Sequence, residues 1–134
     1  MLFDAKIYKD GKFWLAEIPT LDAMTQGRTK AKAIAMLKDW VKSSVDGVDV
    51  KIHETLGGGF VVVTDDSMEM FAFLLQRQRL KAGLTVRQVA HKLGFKSHNG
   101  YAQYERGQHE LSLSQLQKFL TAISPARKAQ LKIS

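Results

Sequence analysis

The chain has 134 residues, of which 45% are hydrophobic and 25% are charged, and its formal net charge is +7. This composition is typical of a globular protein with one ordinary domain or two small ones. The absence of cysteine excludes a disulfide framework, a thiolate zinc site and a cysteine nucleophile. Because the sequence shows neither a signal peptide nor an apolar run long enough to cross a bilayer, we expect a cytoplasmic protein that does not contact a membrane.

The positive charge is concentrated in the second half of the chain. Residues 1–70 carry 9 Lys or Arg and 11 Asp or Glu, whereas residues 71–134 carry 11 and 2. A concentrated positive surface is expected of a protein that neutralises the phosphates of a nucleic acid. A solvated basic face without a partner would give the same count. Charge alone leaves both interpretations open.

Strands are predicted at the start of the chain. Apolar and polar residues alternate from Phe3 to Tyr8, which is the period of a strand. Asp10-Gly11 predicts a type I′ hairpin turn, after which residues 13–18 form a second strand that Pro19 ends. A short third strand is expected over residues 21–26.

One helix and two further strands complete the first half. Thr29 is a suitable N-cap for a helix that extends to about residue 44, with an apolar face that Met36 widens. Two strands follow over residues 50–55 and 60–64. The pattern predicts an α+β layer, in which one helix packs on one face of a small, largely antiparallel sheet.

Beyond residue 66 the strand pattern stops and only short helices are predicted. We therefore predict two domains, residues 1–66 and residues 67–134. The predicted helices of the second domain span residues 67–82, 86–93, 97–105 and 112–123, and Pro125 suits the first position of a further helix.

Small residues in the second half indicate two helices that cross closely. At Ala90 a larger side chain would keep the next helix from docking, and Gly94 lies in a turn one residue longer than the commonest form. The run from Gln78 to Gly107 resembles the phage-repressor (Cro/C1, or Xre) helix-turn-helix family, and the resemblance covers roughly residues 70–123. The matching features are Arg79, Leu80, Gly83-Leu84-Thr85, Ala90, Leu93-Gly94 and Tyr104-Glu105-Arg106-Gly107.

This resemblance implies that the second half binds double-stranded operator DNA with the helix at residues 97–105 in the major groove. Asn and Gln can bond both N6 and N7 of adenine, and His can donate to guanine. The side chains expected to read bases are His98, Asn99 and Gln103. Those expected to contact phosphates, which fix register without reading sequence, are Lys96, Ser97 and Arg106. The resemblance further implies a structural ion pair between Arg79 and Glu105.

No catalytic or metal-binding pattern is recognised in the first half. Its acidic residues fall on different turns and strand positions, and Gly57-Gly58-Gly59 lies between two strands, as a turn does and a phosphate loop does not. The acidic residues considered are Asp4, Asp10, Glu17 and Asp22. We therefore expect no enzymatic activity, no metal and no cofactor.

The first half also resembles a known domain. The segment Asp-Gly-Lys-Phe-Trp-Leu-Ala-Glu-Ile-Pro at residues 10–19 is followed by Leu21, Thr25-Gln26-Gly27, Thr29 and an Ala-rich helix. This order resembles the HicB antitoxin domain, which has a partial ribonuclease-H-like fold and commonly precedes a DNA-binding domain. The resemblance covers about residues 3–64 and implies a HicA-like, mRNA-cleaving toxin as partner.

Together the two resemblances imply an antitoxin of a type II toxin–antitoxin pair, which blocks its toxin and represses the shared operon as a homodimer or higher homo-oligomer. A stand-alone transcription regulator, whose N-terminal domain senses a ligand or dimerises, is the alternative. A nuclease would need three or four convergent carboxylates and a divalent metal, and the sequence does not offer that set.

Overall fold

Five antiparallel strands, one α-helix and a short 3-10 helix form the first unit, Met1–Asp66, of the computed structural model, which describes residues 1–124. The elements are β1 (Leu2–Asp10), β2 (Phe13–Ile18), β3 (Ala23–Gly27), α1 (Lys30–Ser44), β4 (Val50–Glu54) and β5 (Phe60–Thr64). The strand order in the sheet is β3-β2-β1-β5-β4, and each neighbouring pair is antiparallel. The predicted α+β class is confirmed.

The helix α1 covers one face of the sheet. Thr29 caps it as predicted, since its hydroxyl accepts a hydrogen bond from the Lys32 amide. The buried face carries Ala33, Leu37 and Val41, all with no exposed surface. Met36 was expected to widen this face and is instead 51% exposed, because successive helical residues are about 100° apart around the axis. The prediction for Met36 is wrong.

The β1–β2 hairpin turn is not the predicted type. Asp10 pairs with Phe13, so the two-residue turn is Gly11-Lys12 rather than Asp10-Gly11. The backbone φ is +60° at Gly11 and is not positive at Lys12. A type I′ turn needs positive φ at both central residues and is therefore excluded.

The third strand also begins later than predicted. Pro19–Leu21 form a 3-10 helix with Pro at its first position, where its missing N–H costs nothing. Asp22 follows in the left-handed region with a φ of 51° and ends this helix. The strand then runs from Ala23 to Gly27.

Four short helices form the described part of the second unit, which begins at Ser67. They are α2 (Met68–Lys81), α3 (Val86–Lys92), α4 (His98–Glu105) and α5 (Leu113–Ile123). Both α4 and α5 pack against α2 and α3. The further helix predicted from Pro125 lies outside the described residues. No helix in residues 1–124 is long and apolar enough to span a membrane.

Local signals set the ends of these helices. A Ser or Thr hydroxyl caps the N-terminus of each, and full capping boxes pair Thr85 with Gln88 and Ser112 with Gln115. Glycines in the left-handed region, Gly83, Gly94 and Gly107, follow the ends of α2, α3 and α4. These caps place a tight turn between α3 and α4.

Candidate DNA-binding site

The helix pair α3–α4 depends on a small residue at the crossing. Ala90 is 2% exposed in the middle of α3, and Gly94 takes a φ of +78° in the turn that follows. The amide of Phe95 donates back to the carbonyl of Ala90, which reverses the chain within a few residues. As a result α4 docks across α3, and its first turn is left at the surface.

The ring of Phe95, which follows Gly94 in the turn between α3 and α4, packs against other aromatic rings of the unit. Its centroid lies 6.4 Å from that of Tyr101 and 6.1 Å from that of Phe119, within the range of favourable aromatic pairs. A Cβ on Gly100 would come within 2.8 Å of the Phe95 ring. Glycine at this position therefore lets the ring pack directly on α4.

A two-pronged ion pair fixes the end of α4. The Nε of Arg79 donates to Oε2 of Glu105 at 2.8 Å, and its Nη2 donates to Oε1 at 3.0 Å. A third nitrogen, Nη1, donates to the carbonyl oxygen of Leu84 at 3.0 Å. The side chains of Arg79 and Glu105 are only 13% and 7% exposed, so the pair joins α2 to the last residue of α4 inside the unit.

The first turn of α4 presents polar side chains to solvent. Ser97 is its N-cap and accepts a hydrogen bond from the Asn99 amide at 3.2 Å, and both His98 and Asn99 are exposed. Gln103 lies one turn further along and is half-buried. Arg106 follows the helix and is exposed, with its Nε donating to the carbonyl of Ala102.

An open groove of about 380 Å³ lies between α3 and the beginning of α4. Lys96 and His98 line one side, and Arg87 and His91 of α3 line the other. Sequence reasoning did not select Arg87 and His91. Their four-residue spacing places them on one helix face, but only the docking of α4 brings that face beside Lys96.

The acidic residues of the first unit do not come together as a metal-binding group would require. Within residues 1–124, no group of three or more His, Asp or Glu side chains lies close enough to hold a metal ion. Glu17 instead accepts a hydrogen bond from the Tyr8 hydroxyl, which raises the pKa of that phenol. The Glu17 carboxylate is thus engaged by a phenol on the neighbouring strand.

An exposed α4, a basic groove beside it and a small residue at the crossing define a helix-turn-helix DNA-binding domain. The helix-turn-helix family model matches residues 75–123, and the domain is of the Cro/C1 (Xre) type. The chain therefore binds DNA in a sequence-specific manner and acts in transcription regulation. Neither the curated proteins nor the solved structures contain a match to the chain.

Proposed function

We propose that α4 reads the operator with His98, Asn99 and Gln103. The observation that carries this role is the exposure of His98 and Asn99 on the first turn of α4, beside the basic groove. The first turn of a recognition helix is the part that reaches base edges in the major groove. Their imidazole and amide groups match the donor and acceptor patterns of purines.

The phosphate contacts in this proposal come from both sides of the groove. Lys96, Ser97 and Arg106 lie at the two ends of α4, as expected for groups that hold the strands on either side of a recognition helix. Arg87 and His91 on α3 extend the same surface. Such contacts strengthen binding to any sequence and weaken with salt.

For the first unit we propose the capture of a small basic toxin, so that the whole chain is a HicB-type antitoxin acting in the cytoplasm and repressing its own operon. The order of motifs over residues 3–64 supports this role, and so does the excess of acidic over basic residues in residues 1–70. The family match lies entirely in the second unit, so the proposal rests on the sequence pattern and on the surface of the sheet.

The face of the sheet opposite α1 provides a contact surface. Tyr8, Phe13 and Met24 lie on this face and are 39%, 37% and 58% exposed. Tyr8 pairs with Leu15, Phe13 pairs with Asp10 and Met24 pairs with Glu17, so the register puts all three side chains on the side of the sheet away from the helix. Exposed aromatic and Met side chains are typical of protein–protein contacts.

Co-expression of the full chain with a small basic HicA-type toxin tests this role. We expect the wild type to restore growth and Met24→Lys to fail, since a charge is placed on the open sheet face. Met36→Lys is the matched control, because Met36 is 51% exposed on α1, which packs on the opposite face. Both variants should bind operator DNA as the wild type does.

The alternative function gives a different outcome in the same experiment. A stand-alone regulator would bind its operator but would not restore growth in the presence of the toxin. The exposed apolar side chains of the sheet would then serve self-association. In that case Met24→Lys would convert the free protein to a smaller species in sedimentation, and Met36→Lys would not.

A further inference from the structure

The loop after α4 folds back onto the side chain of Gln103. His109 lies in this loop, and its Nε2 is 2.5 Å from Oε1 of Gln103. The amide of Gln108 also donates to the backbone carbonyl of Gln103 at 2.9 Å. Both carbonyl groups of Gln103, the main-chain one and the side-chain one, are therefore engaged by two consecutive loop residues.

The imidazole of His109 is itself held in place. Its ring centroid lies 5.4 Å from that of Tyr104, and the Tyr104 ring packs edge-on against Phe119 at 5.1 Å. Gly107, with a φ of +70°, and the buried Leu111 fix the loop on either side of His109. The hydrogen bond to Gln103 thus comes from an exposed ring that is tilted against Tyr104.

We propose that His109 is a positioning residue that sets the base specificity of Gln103. This inference rests on the proposed role of Gln103 as a base-reading side chain. In its Nε2–H tautomer, His109 donates to Oε1 of Gln103, and this contact distinguishes the oxygen end of the amide from the nitrogen end. The amide nitrogen and the second lone pair of Oε1 remain for a base.

A fixed amide is suited to adenine. One adenine presents an acceptor, N7, beside a donor, N6, and a Gln amide of fixed orientation meets both at once. An amide that can rotate would also accept other bases by turning its donor or acceptor toward them. Holding one rotamer before binding avoids an ordering cost of about 0.5–1.5 kcal/mol, which corresponds to roughly a twofold to twelvefold gain in affinity.

The test selects duplexes from a randomised double-stranded oligonucleotide library with the full chain and its variants. His109→Phe keeps a ring on Tyr104 but removes the donor, and His109→Gln supplies an amide donor in its place. We expect His109→Phe to lower base selectivity at one base-pair position by roughly twofold to twelvefold and to leave selectivity at the other positions unchanged. His109→Gln should restore selectivity for adenine at that position, and thermal unfolding checks that each variant is folded.

The Gln103→Ala background separates this inference from the base-reading role. Gln103→Ala should relax the same position, and adding His109→Phe should then change nothing, because the two residues act as one unit. If Gln103→Ala lowers base selectivity at one position and His109→Phe lowers it at none, the positioning role of His109 is overturned, while the base-reading role of Gln103 stands. If Gln103→Ala leaves every position unchanged, Gln103 reads no base, and both ideas are overturned.

Discussion

Arg79 and Glu105, 26 positions apart in the chain, are joined by three hydrogen bonds between one guanidinium and one carboxylate. Their partly buried pair ties α2 to the end of α4, the helix that carries the base-reading candidates. Neither residue is exposed enough to contact DNA freely. Their effect on DNA binding is therefore exerted through the fold.

Removal of one partner of this pair should destabilise the second unit. Glu105→Ala leaves the Arg79 guanidinium buried without its partner, and such losses cost about 3–5 kcal/mol. Urea unfolding followed by circular dichroism would measure the effect. Glu110→Ala is the control, because Glu110 is exposed in the loop after α4 and should change the free energy of unfolding by less than about 0.5 kcal/mol.

The double variant Arg79→Met/Glu105→Leu distinguishes the cost of leaving a buried charge unpaired from the cost of losing the contact itself. Replacement of both partners by apolar residues of similar volume is often neutral or stabilising. We expect it to recover most of the stability that Glu105→Ala loses, and to bind operator DNA. A double variant as unstable as the single one would contradict this account.

Base-reading and phosphate-binding residues should differ in their salt dependence. Asn99→Ala should lower discrimination at one base pair by about 1–3 kcal/mol and leave the salt slope unchanged. Arg87→Ala should reduce the salt slope by about one and weaken binding to all sequences equally. Fluorescence anisotropy titrations at several salt concentrations, with operator and scrambled duplexes, measure both quantities. The same change in both variants would contradict the division of roles.

The Tyr101 phenol should make stability fall at high pH. Burial, followed by the nearby Glu105 carboxylate, raises its pKa well above the ordinary value of 10.0. Below pH 10 the phenol is neutral in both states, whereas above it only the unfolded chain ionises. The free energy of unfolding therefore falls as pH rises, by about 1.4 kcal/mol at one unit above the unfolded pKa.

Tyr101→Phe should remove this part of the pH dependence. The hydroxyl is buried and forms no hydrogen bond of acceptable geometry with the described residues, so its loss at pH 7 should change stability by less than about 1 kcal/mol. The measurement is the difference between wild type and variant in urea unfolding at neutral pH and above pH 10. An equal difference at both pH values would mean that Tyr101 is not the responsible group.

Sequence reasoning succeeded where the signal was local. The N-cap at Thr29 was confirmed, since a cap depends on residues within one turn of helix. Sequence reasoning failed where the pairing of two strands decided the position of a turn. The register that pairs Asp10 with Phe13 moved the hairpin turn by one residue, and no signal within the turn itself reveals that register.

In the candidate site, too, local motifs can be recognised in the sequence, whereas contacts made by packing cannot. The resemblance nominated residues of α4, because family motifs identify a recognition helix by its neighbours in sequence. Arg87 and His91 were missed, since only the packing of α3 against α4 brings them beside Lys96. The contact between His109 and Gln103 spans a loop whose path depends on Gly107 and Leu111.

The operator should be palindromic and occupied by two copies of the chain. A single recognition helix of eight residues reads few base pairs, so we expect two half-sites about 34 Å apart, which is one helical turn. The region after Leu111, where Leu113 is 45% exposed, is the expected contact between copies. Footprinting and sedimentation of the complex measure spacing and stoichiometry, and one monomer on an asymmetric site would contradict this prediction.

At Gly27, β3 approaches the beginning of α1 closely. A Cβ at this position would lie 2.6 Å from the amide nitrogen of Ala33 and 2.9 Å from the carbonyl carbon of Lys32. Both are backbone atoms and cannot move aside as a flexible side chain would. Gly27→Ala should therefore destabilise the first unit by about 2–3 kcal/mol, a large loss for a domain of this size, which buries only about 60% of its unfolded surface.

Gly57→Ala is the matched control in the same unit, because its Cβ would meet no atom within 4 Å and its φ is not in the left-handed region. We expect Gly27→Ala to lower the melting temperature of the first unit and to abolish toxin neutralisation, while Gly57→Ala keeps both. Operator binding should survive in each variant if residues 67–134 fold as a separate domain. Loss of operator binding by Gly27→Ala alone would show that the two halves unfold together, and unchanged melting would show that α1 can shift to admit the methyl group.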